Sequence, residues 1–265
     1  MTAPHDLGRE HLALALDVDD LVVAVRSARR MRPWFAVAKV GLELFTAAGP
    51  DAISVMVDEG YRVFLDVKLH DIPTTVGRAA RVAGGLGVTY LTVHTSGGRA
   101  MVRAAVEGLA EGAGQAAGPV GPGPRADPPP AVLGVTVLTS DARSSASDLD
   151  ERLAIAQEAG CGGVVCPVGG VGALKARWPQ MQAVVPGIRP AGAGHDDQVH
   201  VATPAAACAA GADLLVIGRA VTRAGDPEAV ASAIARDVGE ACAARHGESA
   251  LLPGGRPPGS AGDLG

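Results

Sequence analysis

The sequence predicts an α/β protein that forms a single-domain (β/α)8 barrel, the TIM-barrel architecture. Short apolar runs alternate with Ala-rich stretches of helical spacing along the chain, which is the pattern of a parallel sheet covered by helices. Eight such units in about 230 residues match the usual size of this barrel. Nearly every apolar run is followed by a polar residue or a glycine, as expected where eight strands end around one mouth.

The apolar runs and helical stretches follow each other in a regular order. The predicted strands are Leu12–Leu16, Phe35–Val40, Arg62–Val67, Tyr90–Val93, Ala131–Leu138, Gly163–Cys166, Gln182–Val185 and Leu214–Ile217. The clearest helical stretches are Thr75–Ala83, Ala100–Ala110, Asp148–Ala159 and Pro204–Ala210. A doubly wound open sheet is the structural alternative. It is less favoured because the Gly-x-Gly-x-x-Gly fingerprint after the first strand is missing.

Composition and charge argue against several classes of function. Of the 265 residues, 48% are hydrophobic but only 3% are aromatic, so aliphatic side chains must build the core. The net charge is −5 and no long basic run exists, which argues against a nucleic-acid surface. No apolar run approaches the ~18 residues of a membrane span, and no signal-peptide pattern is present, so we expect a soluble cytoplasmic protein. The four cysteines form no Cys-x-x-Cys pair or zinc-type cluster.

Two segments rich in glycine and proline are predicted to lie outside the regular elements. Residues 112–130 precede the fifth strand, on the side of the barrel opposite to the mouth, and we expect a mobile surface insertion there. Residues 247–265 are expected to form a disordered C-terminal tail. The barrel domain is therefore predicted to span residues 1–246.

The run Leu65–Pro73 places several charges at the end of the third strand. Asp66 and Lys68 are two residues apart and so share one face of the strand, while Asp71 lies just beyond the strand end. A charge pair at about 4 Å is worth roughly 4 kcal/mol at an effective dielectric near 20, so two aspartates would keep Lys68 protonated. A protonated lysine can stabilise a carbanion and then donate a proton to it. Taken alone, however, the pattern fits a strand-end salt bridge equally well.

The surrounding residues make the pattern more specific. Leu65–Pro73, together with Thr75, resembles the Asp-x-Lys-x-x-Asp-Ile-Pro-x-Thr signature of the orotidine 5′-phosphate decarboxylase family. Other segments between residues 11 and 240 resemble the same family in the right order. They are Leu14–Asp17, Lys39–Gly41, Thr92–His94 with Ser96–Gly98, Val135–Ser140, Pro186–Pro190 with Asp197 and Gln198, and Val216–Thr222. The insertion at residues 112–130 departs from the pattern without touching these motifs.

The resemblance implies a carboxy-lyase that converts orotidine 5′-monophosphate to uridine 5′-monophosphate in de novo pyrimidine biosynthesis, with neither a metal nor an organic cofactor. It implies a charge network of Lys39, Asp66, Lys68 and Asp71, in which Lys68 protonates C6 of the pyrimidine. It also implies a homodimer in which Asp71 and Thr75 are contributed across the interface.

The resemblance assigns substrate binding to other strand ends and loops. The residues are Asp17 for the ribose, Thr139 for the pyrimidine, and Arg189, Gln198, Gly218 and Arg219. Arg219 directly follows the eighth strand, where barrels often hold a phosphate. We expect residues 190–194 to fold over the ligand and deliver Gln198, although an ordinary flexible loop is the alternative.

The histidines are not predicted to be ligands or general acids. His195-Asp196-Asp197 looks like a metal cluster, but adjacent residues rarely converge on one ion. His70 and His94 are interpreted as supporting residues of the site.

Two other functions fit parts of the pattern. A sugar-phosphate lyase or aldolase of the same barrel type can share Asp-x-Lys-x-x-Asp but uses Mg2+, and loss of turnover in excess EDTA would indicate it. A non-catalytic nucleotide-binding barrel is the second alternative. The intact set of Lys39, Asp66, Lys68 and Asp71 argues against it.

The predicted tail gives a direct test of the domain boundary. Deletion of residues 249–265 should leave turnover nearly unchanged, because a disordered tail adds no contact to the barrel. A steady-state assay of the truncated protein checks this. Loss of turnover in a truncated protein that stays folded by circular dichroism would contradict it.

Overall fold

The computed structural model describes residues 8–116, 129–136, 146–189 and 202–250, and these residues form one closed barrel of eight parallel strands. The strands are β1 (Leu12–Ala15), β2 (Val37–Gly41), β3 (Arg62–Leu69), β4 (Tyr90–His94), β5 (Ala131–Val135), β6 (Gly163–Val165), β7 (Gln182–Val185) and β8 (Leu214–Ile217). Each strand pairs with the next in the chain, and β8 closes the barrel by pairing with β1. The predicted fold class is therefore confirmed.

Helices follow the strands and cover the outside of the barrel. They are α1 (Leu21–Met31), α2 (Leu42–Ala48), α3 (Pro50–Asp58), α4 (Pro73–Gly85), α5 (Gly98–Ala116), α6 (Ala146–Ala159), α7 (Val168–Arg177), α8 (Pro204–Ala210), α9 (Arg219–Thr222) and α10 (Pro227–Ala250). Four of them, α3, α4, α8 and α10, begin at a proline. Proline suits this position because the N–H it lacks would have no partner in the first turn. None of the helices that the structure describes is both long enough and apolar enough to cross a membrane.

The observed boundaries of several strands and helices differ from the predicted ones. β2 begins at Val37 instead of Phe35, and β3 continues to Leu69 instead of ending at Val67. Residues 112–116, which the sequence predicts to be part of the glycine-rich insertion, continue α5 as a regular helix. Similarly, α10 reaches Ala250, beyond the predicted boundary at residue 246. Residues 117–128 and 251–265, the rest of the predicted insertion and tail, lie outside the described residues.

Side chains inside the barrel form an apolar floor beneath a polar layer. The floor contains Ala13, Ala15, Val37, Phe64, Tyr90, Leu133, Val184, Leu214 and Val216, all buried. Residues two positions further along a strand share the inward face. On β2, β3 and β4 these residues are Lys39, Asp66 and Thr92. The interior therefore changes from apolar to charged towards the carboxyl ends of the strands, and this change positions the site.

Glycines bring the backbones of α4 and α5 into close contact. A Cβ added to Gly108 would lie 2.2 Å from the carbonyl oxygen of Gly77, and one on Gly112 would lie 1.9 Å from that of Arg81. Side chains at these positions would force the two helices apart. The same contact explains why Gly112 belongs to α5 and not to a loop.

Two substitutions on α5 test this packing. Gly108→Ala should destabilise the protein by about 1–3 kcal/mol, because overpacking must displace a backbone. Gly114→Ala is the matched control, since nothing lies within 4 Å of its Cβ position. It should stabilise the helix by up to about 1 kcal/mol. Urea unfolding measures both, and equal stabilities for the two variants would contradict the packing argument.

Candidate active site

Three charged side chains from neighbouring strands meet inside the barrel mouth. The Lys68 Nζ lies 2.8 Å from the Asp66 Oδ1, and the Lys39 Nζ lies 3.7 Å from the Asp66 Oδ2. The Lys39 ammonium also donates a hydrogen bond to the Asp17 Oδ1 at 2.9 Å. The Asp66 carboxylate thus lies between two ammonium groups, and the four side chains form one chain of alternating charge.

Burial differs along this chain of charges. The side chains of Lys39 and Asp66 are 11% and 14% exposed, whereas that of Asp17 is 53% exposed. Lys68 is intermediate, with 31% of its side chain exposed. The inner pair is therefore fixed in a low-dielectric part of the mouth, while the Lys68 ammonium remains accessible from the cavity.

The main chain of β3 is irregular where it carries these residues. Leu65 pairs with Leu91 of β4, but the next paired residue, Leu69, lies opposite Val93. Between them Lys68 adopts a positive φ of 49°, which is uncommon for a residue with a Cβ. Despite this break, Asp66 and Lys68 share the inward face, as the two-residue spacing predicts.

A cavity of about 220 Å3 joins this cluster to the ends of the last strands. Its lining includes Asp66 and Lys68 on one side and Gly187, Arg189, Gly218 and Arg219 on the other. A Cβ on Gly218 would lie 3.2 Å from the Cβ of Ala15, so a side chain here would crowd β1. The guanidinium groups of Arg189 and Arg219, together with the main chain of Gly218, suit an anionic ligand on this side.

Main-chain hydrogen bonds join the residues that follow β7 to Ala202, which is more than ten residues later in the chain. The N–H of Arg189 donates to the carbonyl oxygen of Ala202 at 3.0 Å, and the N–H of Ala202 donates to the carbonyl oxygen of Gly187 at 3.4 Å. These contacts hold Arg189 and Ala202 next to each other at the rim. Residues 190–201, with Gln198 and His195–Asp197, lie outside the described residues, and so does Thr139.

Asp71 and Thr75 do not join the cluster within this chain. Both are exposed, together with the residues between them. The Asp71 Oδ1 accepts a hydrogen bond from the N–H of Ile72 at 2.6 Å. In the described part of the chain, Asp71 takes part in no ion pair. The Asp-x-Lys-x-x-Asp motif is thus divided, with its first two charges in the mouth and its third on the surface.

Sequence reasoning did not single out Thr92, although it belongs to one of the family-like segments. Thr92 is fully buried on the inward face of β4, and its hydroxyl contacts both Asp66 and the main chain of Lys68. The available signal was the spacing, because Thr92 is a polar residue two positions after Tyr90 and therefore shares its inward face. Its partners could not be known without the register between β3 and β4.

His70 and His94, which the sequence predicts to be supporting residues, lie beside the cluster. The rings of His70 and His94 are 5.4 Å apart between their centroids. Burial lowers the pKa of His94 below its ordinary value, and the positive charges of His70, Lys68 and Arg152 lower it further. No group of three or more metal-ligating side chains is found among the residues that the structure describes.

The lowered pKa of His94 gives a prediction for acidic pH. The imidazole should titrate below 6.5, and the unfolded chain should titrate near that ordinary value. As the pH falls below the unfolded value, the unfolded state binds more protons, so this group makes folding less favourable. An NMR titration of the His94 ring in native buffer and in urea checks this. A native midpoint at or above the urea midpoint would contradict it.

Comparison with known proteins agrees with this geometry. Residues 10–234 match the model of the "Orotidine 5′-phosphate decarboxylase / HUMPS family". The orotidine 5′-phosphate decarboxylase of Moorella thermoacetica is 41% identical over 242 residues, covering 87% of this chain and 92% of that protein. The enzyme of the same name from Nitratidesulfovibrio vulgaris strain DP4 is 47% identical over 236 residues, covering 84% and 95%.

Solved structures agree with the fold. The crystal structure of orotidine 5′-phosphate decarboxylase from Lactobacillus acidophilus matches with a TM-score of 0.68 and 33% identity, over 86% of this chain and 99% of that chain. This chain therefore belongs to the orotidine 5′-phosphate decarboxylase family.

Proposed function

We propose that this protein catalyses the decarboxylation of orotidine 5′-monophosphate to uridine 5′-monophosphate, a step of de novo pyrimidine biosynthesis, without a metal or organic cofactor. The observation that carries the proposal is the Asp66 carboxylate held between the Lys39 and Lys68 ammonium groups at one end of the cavity, with Arg219 at the other. This arrangement offers an anion site for a phosphate and, across the cavity, a proton donor for a ring carbon.

The proposed substrate pose follows from these charges. The phosphate lies against Arg219 and the open backbone at Gly218, with Arg189 beside them. The ribose hydroxyls face Asp17, and the pyrimidine points to the Lys68 ammonium. Roles for Thr139 and Gln198 in holding the ring and phosphate belong to the same proposal and rest on the family resemblance.

The chemical step then needs only the charged cluster. The C6–carboxylate bond breaks, CO2 leaves, and the electron pair remains on C6. The Lys68 ammonium stabilises this carbanion at short range and donates a proton to C6, giving the product. The Asp66 carboxylate faces the substrate carboxylate, and their repulsion is relieved as CO2 departs. The Lys39 ammonium helps to orient the Asp66 carboxylate through the 3.7 Å contact.

The metal-dependent alternative is less well supported by the same contacts. A magnesium site needs oxygen ligands that are free to face the ion. Asp17 lies against Lys39, and Asp66 lies against both lysines. Two ammonium groups beside two carboxylates leave little net negative charge for a divalent cation. Turnover of orotidine 5′-monophosphate that survives excess EDTA would agree with the cofactor-free reaction, and loss of turnover would favour the metal enzyme.

The division of the motif supports a homodimer as the catalytic unit. Asp71 and Thr75 are exposed, and Ile72 between them exposes 65% of its surface. An apolar residue flanked by polar groups at the barrel mouth suits a contact with a second copy of the chain. In this proposal Asp71 completes the charge network of the neighbouring subunit, and Thr75 contacts that subunit's substrate.

A cytoplasmic location is part of the proposal. The four cysteines, all in described parts of the chain, are buried and are present as thiols, not as disulfides. Unoxidised thiols are usual in a reducing compartment.

Two substitutions separate chemistry from binding. Lys68→Ala should lower kcat by about 10³-fold or more while nucleotide binding stays measurable, because it removes the proton donor. Arg219→Ala should mainly raise KM, on the order of 10- to 100-fold, because it removes a charge-assisted contact to the phosphate. Steady-state kinetics and calorimetry with uridine 5′-monophosphate give both readouts. Near-normal turnover by Lys68→Ala would show that the proton donor is another group.

Mixing two inactive variants tests the shared site. In a mixed dimer of Lys68→Ala and Asp71→Ala chains, one site combines an intact Lys68 with the other chain's intact Asp71. After co-refolding in equal amounts, about a quarter of wild-type activity should return, since half of the dimers are mixed and each has one intact site. Each variant refolded alone is the control. Absence of recovery in mixed dimers, verified by mass spectrometry, would place Asp71 in its own chain's site.

A further inference from the structure

Thr92 occupies a fully buried, inward position on β4, directly behind the charged cluster. Its hydroxyl oxygen accepts a hydrogen bond from the main-chain N–H of Lys68 at 2.9 Å. The same hydroxyl lies 3.1 Å from the Asp66 Oδ1 and 3.5 Å from the carbonyl oxygen of Leu65. One side chain from a neighbouring strand thus contacts both Asp66 and Lys68, two of the charged residues of the proposed chemistry.

The contact with Lys68 occurs where β3 departs from regular pairing. One residue of β4 lies between the paired positions Leu91 and Val93, whereas three residues of β3 lie between Leu65 and Leu69. An N–H in this break loses its regular partner on the adjacent strand, and a buried N–H needs another acceptor. The Thr92 hydroxyl supplies that acceptor for Lys68, whose positive φ of 49° is otherwise unfavourable for a residue with a side chain.

The contact with Asp66 fixes the carboxylate. A hydroxyl has one proton to donate, and the Asp66 oxygen is the nearer of its two possible acceptors. The Asp66 Oδ1 therefore accepts from both the Thr92 hydroxyl and the Lys68 ammonium, which lies 2.8 Å away. The other oxygen, Oδ2, is left facing Lys39. Rotation of the carboxylate would break these contacts together.

We propose that Thr92 is a positioning residue for the decarboxylation, which holds the Lys68 main chain in its left-handed conformation and orients the Asp66 carboxylate between the two lysines. This inference rests on the proposed function for its kinetic consequence. Thr92 does not touch the reacting atoms, so its loss should disturb the alignment of the Lys68 ammonium with C6 and leave the phosphate contacts at Arg219 in place.

Three variants test the role of the hydroxyl. Thr92→Val keeps the shape of the side chain and removes both hydrogen bonds. It should lower kcat by about 10²-fold, the usual size of a misalignment effect, with KM changed less than about threefold. Thr92→Ser restores the hydroxyl and should recover kcat to within about fivefold of the wild type.

Thr95→Val is the matched control. Thr95 is also fully buried, but its hydroxyl donates to the Val135 carbonyl oxygen at 2.9 Å. This variant loses a buried hydrogen bond, so its melting temperature should fall as that of Thr92→Val does, yet its kcat should stay near the wild-type value. A kcat of Thr92→Val within twofold of the wild type, or an equal loss in Thr95→Val, would overturn the positioning role.

A crystal structure of Thr92→Val separates this inference from the proposed function. The inference expects a changed Lys68 φ or a rotated Asp66 carboxylate, whichever substrate the enzyme uses. Failure of the wild type to turn over orotidine 5′-monophosphate would reject the proposed function while this structural result still decides the role of Thr92. An unchanged Lys68 and Asp66 in that structure would overturn the inference.

Discussion

The Asp66 carboxylate, held between the ammonium groups of Lys39 and Lys68, is the interaction on which the rest of the site depends. A buried carboxylate without a cation would be costly, and so would either buried ammonium without the carboxylate. Each of the three residues therefore makes the burial of the others possible. The free-energy cost of burying these charges is offset by the rest of the barrel, where the side chains of the floor and of the surrounding core are apolar.

The barrel makes this cluster possible because parallel strands end at one mouth. Lys39 and Asp66 come from β2 and β3, which pair in regular register along their whole contact. Lys68 joins the same cluster from the part of β3 beyond Leu65, where the register with β4 is broken. The break keeps the lysine accessible to the cavity, while Arg219 approaches from the far side at the end of β8. The charged cluster and the two guanidinium groups thus line one cavity, in which we propose that the nucleotide binds.

The sequence alone was sufficient for the architecture and for the inward pairing of Asp66 with Lys68, since both follow from simple periodicity. The irregularity at Lys68 was not predictable, because no glycine marks the left-handed position. The contact of Thr92 depends on register between strands, which no local pattern encodes. The glycines at residues 112–116 were interpreted as a loop. They belong to a helix, and one of them, Gly112, packs so closely against α4 that a side chain would not fit.

In the proposed complex the pyrimidine lies against Lys68 while the phosphate lies at Arg219. A crystal structure of the protein with uridine 5′-monophosphate bound measures this most directly. We expect the Lys68 Nζ to lie within about 3.5 Å of ring carbon C6 and the phosphate to lie against Arg219 and the Gly218 backbone. A nucleotide bound elsewhere, or with its ring remote from Lys68, would contradict it.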